Sequence, residues 1–322
     1  MRLLNVETFQ FAEFVCQTPP PYAILSHTWG DDSEEVSYSN VLAGRLDSPE
    51  TRPAKVSGCC DQARKDGYKY VWIDTCCIDK TNSVELQEAI NSMFRWYREA
   101  AICYVYLADV PPGDEIQNPD SRFHSSRWFQ RGWTLQELLA PLHLRFYDFS
   151  WQFLGTKGEL CEAIEDITGI PSPYLLGIHE LHHASIAQRM SWAASRVTKR
   201  EEDIAYCLLG IFDIAMPMIY GEGPKAFQRL QKEIVRSHNS DDSILAWGLY
   251  PHTLPSFSSA LAIHPSQFAS SGQIVSRPGP GTDSLDAHTG PVRLNLRILP
   301  QPGPDEMFGA LNHPRGGTRR DR

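Results

Sequence analysis

Short apolar runs alternate with helical patterns over the first half of the chain. Residues 22–26, 70–74, 101–107 and 144–149 are rich in β-branched and aromatic side chains, and each run has the length of a strand. Between two of these runs, residues 82–97 carry apolar side chains at helical spacing. Strands that alternate with helices predict crossover connections, and therefore an α/β fold whose mostly parallel sheet is flanked by helices.

The second half of the chain has a different pattern. From about residue 155 the apolar spacing becomes helical, and beyond residue 270 the sequence is rich in Pro, Gly and Ser. The pattern predicts four segments, which are a lead-in at residues 1–21, an α/β domain at 22–150, a helical region at 151–250 and an irregular Pro- and Gly-rich tail at 251–322.

Composition narrows the classes of function. The 322 residues are 42% hydrophobic, which is enough apolar material for a sizeable core. The net charge of -9 argues against binding of nucleic acid through a general basic surface. No secretory signal and no uninterrupted apolar membrane span is evident, and the eight cysteines contain no C-x-x-C pair. We expect a cytoplasmic protein with no nucleic-acid partner and no membrane span.

Polar side chains follow the first two predicted strands. The carboxyl ends of parallel strands meet at one edge of a sheet, where ligands of open α/β folds bind. The alternative is that these residues cap helices and pack under loops. As a pocket, this edge would suit a polar ligand with a flat ring, and the residues that would bind it are Ser26, His27, Trp29, Gly30, Asp74 and Asp79.

A candidate catalytic carboxylate lies further along the chain. Glu137 follows Trp133 by four residues, which places both side chains on one face of a helix predicted at residues 128–139. A carboxylate beside an indole is partly desolvated, and its pKa would rise into the range of a usable base. The alternative is a solvated glutamate that pairs with Arg131 or Arg145.

One motif has the spacing of a zinc site. Residues 179–183 read HELHH and match H-E-x-x-H, with Glu201 and Glu202 downstream. Proline and glycine just upstream predict a polar connecting loop, whereas the zinc motif needs a regular helix. We therefore expect no metal site and no resident cofactor, although metal-dependent hydrolysis at Asp74 and Asp79, or at the His179 cluster, stays an alternative.

Three long blocks are similar to a known family. Residues 22–30 (YAILSHTWG), 70–80 (YVWIDTCCIDK) and 131–141 (RGWTLQELLAP) resemble the signature blocks of the fungal heterokaryon-incompatibility (HET) domain. Shorter family-like blocks continue to Trp247. The resemblance implies a self/non-self recognition protein that triggers programmed cell death when incompatible hyphae fuse.

The same resemblance implies a distant similarity to TIR domains, and hence a TIR-like, flavodoxin-like sheet. Some TIR domains cleave NAD at the bond to nicotinamide with a helical glutamate. The segment from Trp133 to Leu138 is similar to their motif, with Thr134 where a cysteine would stand. The resemblance implies that Glu137 is the catalytic carboxylate and that NAD is a substrate.

Two hypotheses follow from the resemblance. In the first, the protein is an NAD glycohydrolase that kills by consuming NAD. In the second, it is a TIR-like interaction module that signals by assembly without catalysis. Partners implied by either hypothesis are a second copy of the chain or another incompatibility or NLR-like protein.

Overall fold

The computed structural model describes residues 1–15, 17–31, 35–237, 241–248 and 260–275, together with the backbone of two further strands. The chain divides into two compact units, Met1–Ile178 and His179–Arg322. The domain limits drawn from the sequence stay a prediction. Among the described residues, no helix has the length and apolar character that a bilayer crossing requires.

A seven-stranded mixed sheet is the centre of the first unit, in the order β2-β1-β4-β3-β5-β6-β7. The four central strands, from β4 to β6, are parallel, whereas β1 and β7 run antiparallel to their neighbours. The strands are β1 (Arg2–Asn5), β2 (Phe11–Glu13), β3 (Ala23–His27), β4 (Tyr70–Trp72), β5 (Ile102–Tyr106), β6 (Leu144–Tyr147) and β7 (Phe153–Thr156).

Helices follow the strands and cover the sheet, so the predicted α/β fold is confirmed. The longest helix begins at the predicted place because the Asn82 side chain accepts hydrogen bonds from the Val84 and Glu85 amides. The helices of the first unit are α1 (Tyr38–Leu42), α2 (Ala54–Lys65), α3 (Asp74–Cys77), α4 (Ser83–Glu99), α5 (Arg127–Gln130), α6 (Thr134–Leu139), α7 (Cys161–Thr168) and α8 (Ser172–Leu175), with a 3-10 turn at Pro49–Thr51.

In the second unit, the elements described up to residue 275 are helices and 3-10 turns joined by loops, and the sequence predicts such a helical region. A buried Gln231 fixes one loop, since its amide donates to the Ala262 carbonyl and its oxygen accepts from the Ala262 amide. The helices are α9 (Ile186–Ser191), α10 (Asp203–Tyr206) and α11 (Lys225–Ser237), with 3-10 turns at Leu181–His183, Asp242–Leu245 and Pro265–Phe268. Strands β8 (Arg297–Pro300) and β9 (Met307–Ala310) pair antiparallel.

A close approach between α2 and the loop after β6 requires a glycine. The Trp151 indole stacks on Tyr106 with ring centroids 5.1 Å apart, and its Nε1 donates to the Ala54 carbonyl. A Cβ at Gly58 would lie 2.2 Å from that nitrogen, well inside van der Waals contact. Gly58 therefore leaves the space into which the Trp151 ring packs.

We expect Gly58→Ala to destabilise the protein by about 1–3 kcal/mol, because the new methyl group displaces the Trp151 ring. Helix propensity alone predicts the opposite sign, a gain of about 1 kcal/mol for Ala over Gly. Urea unfolding monitored by circular dichroism shows which of these two opposite changes in stability occurs. In a Trp151→Ala background the space is open, and there the alanine should stabilise. A stabilised Gly58→Ala single variant would contradict the packing argument.

Candidate functional site

The side chain of Glu137 is buried beside the carboxyl end of β3. It lies in α6 with 7% of its surface exposed. The helix predicted at residues 128–139 is broken into α5 and α6, since Arg131 has an extended backbone and ends α5. The Thr134 hydroxyl donates to the carbonyls of Trp128 and Arg131 across the break. This break turns α6 so that Glu137 points at the sheet and not at solvent.

Ser26 connects Glu137 to a second buried side chain. The Ser26 hydroxyl donates to Glu137 Oε2 over 2.5 Å, and it accepts from Trp128 Nε1 over 2.8 Å. Ser26 is fully buried as the fourth residue of β3, and Trp128 is 1% exposed in α5. Trp128, Ser26 and Glu137 thus form one hydrogen-bonded network, which holds β3, α5 and α6 in one arrangement.

Burial raises the pKa of Glu137 from its ordinary 4.5 to about 8. Loss of solvation is the largest cause, and the negative charge of Asp74 acts in the same direction. The hydroxyls of Ser26 and Tyr97 and the charge of Arg131 oppose the shift. At neutral pH the folded protein therefore holds Glu137 mostly as a neutral acid.

Two buried polar atoms beside this carboxyl lack hydrogen bonds within the described chain. His27 Nε2 and Asp74 Oδ1 lie 3.8 Å apart, and a Glu35 oxygen is 3.7 Å from the same nitrogen. These separations exceed hydrogen-bond length. Desolvation favours the neutral form of Glu35, but the interactions with His27 and Lys55 outweigh it and lower the pKa of Glu35. An imidazole between two carboxylates can bind hydroxyl groups of a ligand.

Trp29 forms the outer part of the site. Its Nε1 donates to Asp74 Oδ2 over 2.8 Å, which fixes the plane of the indole. The Lys80 amine lies 3.6 Å from the ring centroid, and the Arg131 guanidinium lies 5.5 Å from it. An aromatic face flanked by two cations suits a ligand that combines a flat ring with phosphate groups.

The structure brings most of the predicted site residues together. Ser26, His27 and Trp29 lie at and just after the end of β3. Hydrogen bonds connect Ser26 to Glu137 and Trp29 to Asp74, and the His27 imidazole lies 3.8 Å from Asp74. The Gly30 amide donates to Glu35 at the same edge. Asp79 has a separate role, since its carboxylate accepts from the amide and hydroxyl of Thr81 in an exposed turn. Trp133 is half-buried and directly precedes α6.

Three residues of the candidate site were missed from the sequence. Trp128 is the indole that reaches the Ser26–Glu137 pair, Tyr97 is the second hydroxyl that acts on Glu137, and Glu35 faces His27. Trp128 carries a signal in the sequence, because a tryptophan in the same block as a candidate carboxylate needs a partner for its N–H. Nothing in the spacing identifies Glu35, which comes from a loop.

The H-E-x-x-H segment lies in an exposed 3-10 turn at Leu181–His183 and not in a helix. His182 Nδ1 contacts Glu180 over 3.0 Å, and all three histidines are exposed. Across the described residues, no group of three His, Cys, Asp or Glu side chains is arranged to hold a metal ion. The seven cysteines within the described ranges are free and buried, so their thiols pack in the core.

Residues 22–121 match the family model described as "Heterokaryon incompatibility protein (HET)". That segment contains Ser26, His27, Trp29 and Asp74, and it ends before Glu137. Vegetative incompatibility protein HET-E-1 of Podospora anserina is 51% identical to the chain over 232 residues. The alignment covers 70% of this chain and only 17% of that relative. No solved structure matches the chain.

The pKa of Glu137 predicts a dependence of stability on pH. The unfolded chain loses this proton near pH 4.5, whereas the folded protein keeps it to about pH 8. The folded state binds more protons in this window, so the free energy of unfolding falls as the pH rises from 4.5 to 8. Glu137→Gln cannot ionise and should flatten the profile by up to about 1.4 kcal/mol per pH unit.

Urea unfolding at pH 5, 6, 7 and 8 measures this difference between the wild-type protein and Glu137→Gln. Glu88→Gln is the matched control, since Glu88 is exposed on α4. We expect the control to follow the wild-type profile and the Glu137 variant to gain relative stability at the upper end. Parallel profiles for all three proteins would mean that Glu137 is ionised in the folded state.

Proposed function

Because the chain is a HET-domain protein, we propose that it acts in vegetative incompatibility as a domain that triggers cell death. The proposal rests on 51% identity to a relative whose name states vegetative incompatibility, and the triggering of cell death is our proposal. The chain spans 17% of that relative, so the matched part corresponds to one portion of a larger protein. The chemistry must therefore be argued from the site itself.

We further propose that the site hydrolyses NAD at the bond between ribose and nicotinamide. The observation that carries this proposal is a desolvated Glu137 within one cluster with Asp74 and His27, whose facing polar atoms have no hydrogen-bond partner in the described chain. A carboxylate near the ribose stabilises the oxocarbenium-like transition state, and the two free polar atoms suit ribose hydroxyls.

Each part of the site has a role in this reaction. The glycosidic bond breaks with its electron pair going to the nicotinamide nitrogen, which neutralises the ring. Ionised Glu137 stabilises the positive ribose until water attacks C1′, and the water loses one proton. The products are nicotinamide, ADP-ribose and that proton. We assign the Trp29 face to a ring of NAD, and Lys80 and Arg131 to its pyrophosphate.

Nicotinamide release from NAD by concentrated purified protein tests the proposal. We expect release by the wild-type protein and a loss of at least 100-fold in Glu137→Gln, because the amide cannot stabilise the ribose cation. The Glu88→Gln variant should keep full activity. Circular dichroism and the unfolding midpoint show whether each variant is folded.

Expression of the same variants in fungal hyphae distinguishes the enzyme from an interaction module. Catalysis predicts that Glu137→Gln abolishes killing while Glu88→Gln kills. Killing by a folded Glu137→Gln protein that releases no nicotinamide would contradict the enzymatic mechanism and would leave signalling by assembly. In that case Glu137 would be a structural carboxyl that holds α6 against β3.

The dependence of the reaction rate on pH tests the role of Ser26. Ionised Glu137 is the active form, so kcat/KM should rise with pH and level off above about pH 8. Ser26→Ala removes a hydrogen bond that favours the ionised form, which should move the midpoint to higher pH. An unchanged midpoint in a folded Ser26→Ala variant would show that another group controls the rate.

A further inference from the structure

A cavity lies at the amino ends of the central parallel strands. Its volume is about 590 Å³, and its lining includes Ile102 and Leu144, the first residues of β5 and β6. Ser26 and His27 lie at the other end of the parallel strand β3, so the cavity opens at the opposite edge of the sheet from these two residues.

The polar part of this lining is basic. His143, Arg145 and Lys157 face the cavity, and the described lining includes no carboxylate. Arg145 is paired on its other side with Asp66 over 2.8 Å. The remaining wall is largely apolar, with Leu176 beside the strand residues. In a chain of net charge -9, a lining that holds the Lys157 amine and no carboxylate favours an anionic ligand over a cationic one.

Lys157 is the most unusual of these groups because it is 3% exposed. Its amine donates to the carbonyls of Leu138 and Pro141, and no carboxylate pairs with it among the described residues. Burial lowers the pKa of Lys157 from 10.5 to about 8. A buried ammonium normally has a counter-ion, and this one has only carbonyl dipoles. The third amine hydrogen is available to a ligand.

We propose that this cavity binds a small organic anion, with a carboxylate or phosphate group at Lys157 and Arg145 and an apolar body against the leucine wall. This site is independent of the proposed NAD chemistry. The two carbonyls that Lys157 holds end α6, the helix that carries Glu137. Ligand binding at Lys157 should therefore also change the stability of α6.

Isothermal titration calorimetry with benzoate and phenyl phosphate tests the site, with benzyl alcohol as the neutral probe. We expect saturable binding of at least one anion and none of the alcohol. Lys157→Met and Arg145→Gln should each weaken that binding by roughly 10- to 100-fold, the usual effect of losing a charged hydrogen bond. Lys232→Met, on the exposed surface of α11, should bind as the wild-type protein does.

Amide hydrogen exchange locates the ligand without a variant. Binding of the tighter anion should slow exchange in peptides that contain residues 134–145 and 157–160, and leave peptides from α11 unchanged. If Lys157→Met does not fold, the affinity of Arg145→Gln and the exchange measurement together show whether the anion binds in this cavity. The anion that binds more tightly, benzoate or phenyl phosphate, shows whether the cavity prefers a carboxylate or a phosphate group.

Three results would overturn the proposal. The first is no saturable binding of either anion, and the second is equal binding of benzyl alcohol. The third is a folded Lys157→Met variant with wild-type affinity, which would show that Lys157 only caps α6. Anion binding that leaves amide exchange in α6 unchanged would support the anion site and would contradict its effect on the helix that carries Glu137.

Discussion

The hydroxyl of Ser26 is the point on which the candidate site depends. It accepts one hydrogen bond from Trp128 and donates another to Glu137, so a single oxygen fixes α5 and α6 against β3. Without it, a buried indole N–H and a buried carboxyl would both lose a partner, at a cost of about 1–3 kcal/mol each. Burial therefore has two effects: it raises the pKa of Glu137, and it makes the hydrogen bonds of Ser26 to Trp128 and Glu137 necessary for stability.

The short helix α6 connects a buried acid with a buried base. Glu137 is the fourth of its six residues, and the carbonyl of the next residue, Leu138, accepts a hydrogen bond from the Lys157 amine. Lys157 also donates to the Pro141 carbonyl just beyond the helix, where the helix dipole favours a cation. Both side chains are almost fully buried, and each has a pKa shifted toward its neutral form. Electrostatic changes at Lys157 thus alter the environment of Glu137.

The central strands were predictable because buried parallel strands leave continuous apolar runs. The outer strands β1, β2 and β7 were not predicted, since they are short and carry polar side chains such as Arg2, Asn5 and Glu13 beside their apolar ones. Their pairing is decided by contacts with β1, β4 and β6 that sequence periodicity does not encode. The break between α5 and α6 was missed for a similar reason, because the Thr134 hydroxyl replaces helical hydrogen bonds only in the folded chain.

The candidate site was predicted in part because strand ends and helix faces follow from the local pattern. The position of Ser26, His27 and Asp74 at one sheet edge required only the order of parallel strands. To predict which indole lies near Glu137, one would have to know that the chain breaks between α5 and α6. Trp133 was therefore predicted, and Trp128 was missed. Glu35 lies in a loop whose path depends on contacts with Lys55 and Gly30, and the spacing of residues in the sequence cannot predict such contacts.

The proton on Glu137 sets a condition on the proposed catalysis. With a pKa of about 8, roughly a tenth of the protein carries an ionised carboxylate at pH 7. A cation placed beside Glu137 favours ionisation, and the nicotinamide ring of NAD is such a cation. Binding of the proposed substrate would therefore generate the charge that its own cleavage requires. Reduced NAD has an uncharged nicotinamide ring and would leave Glu137 protonated, so under the proposed mechanism the buried carboxyl favours the oxidised form over the reduced one.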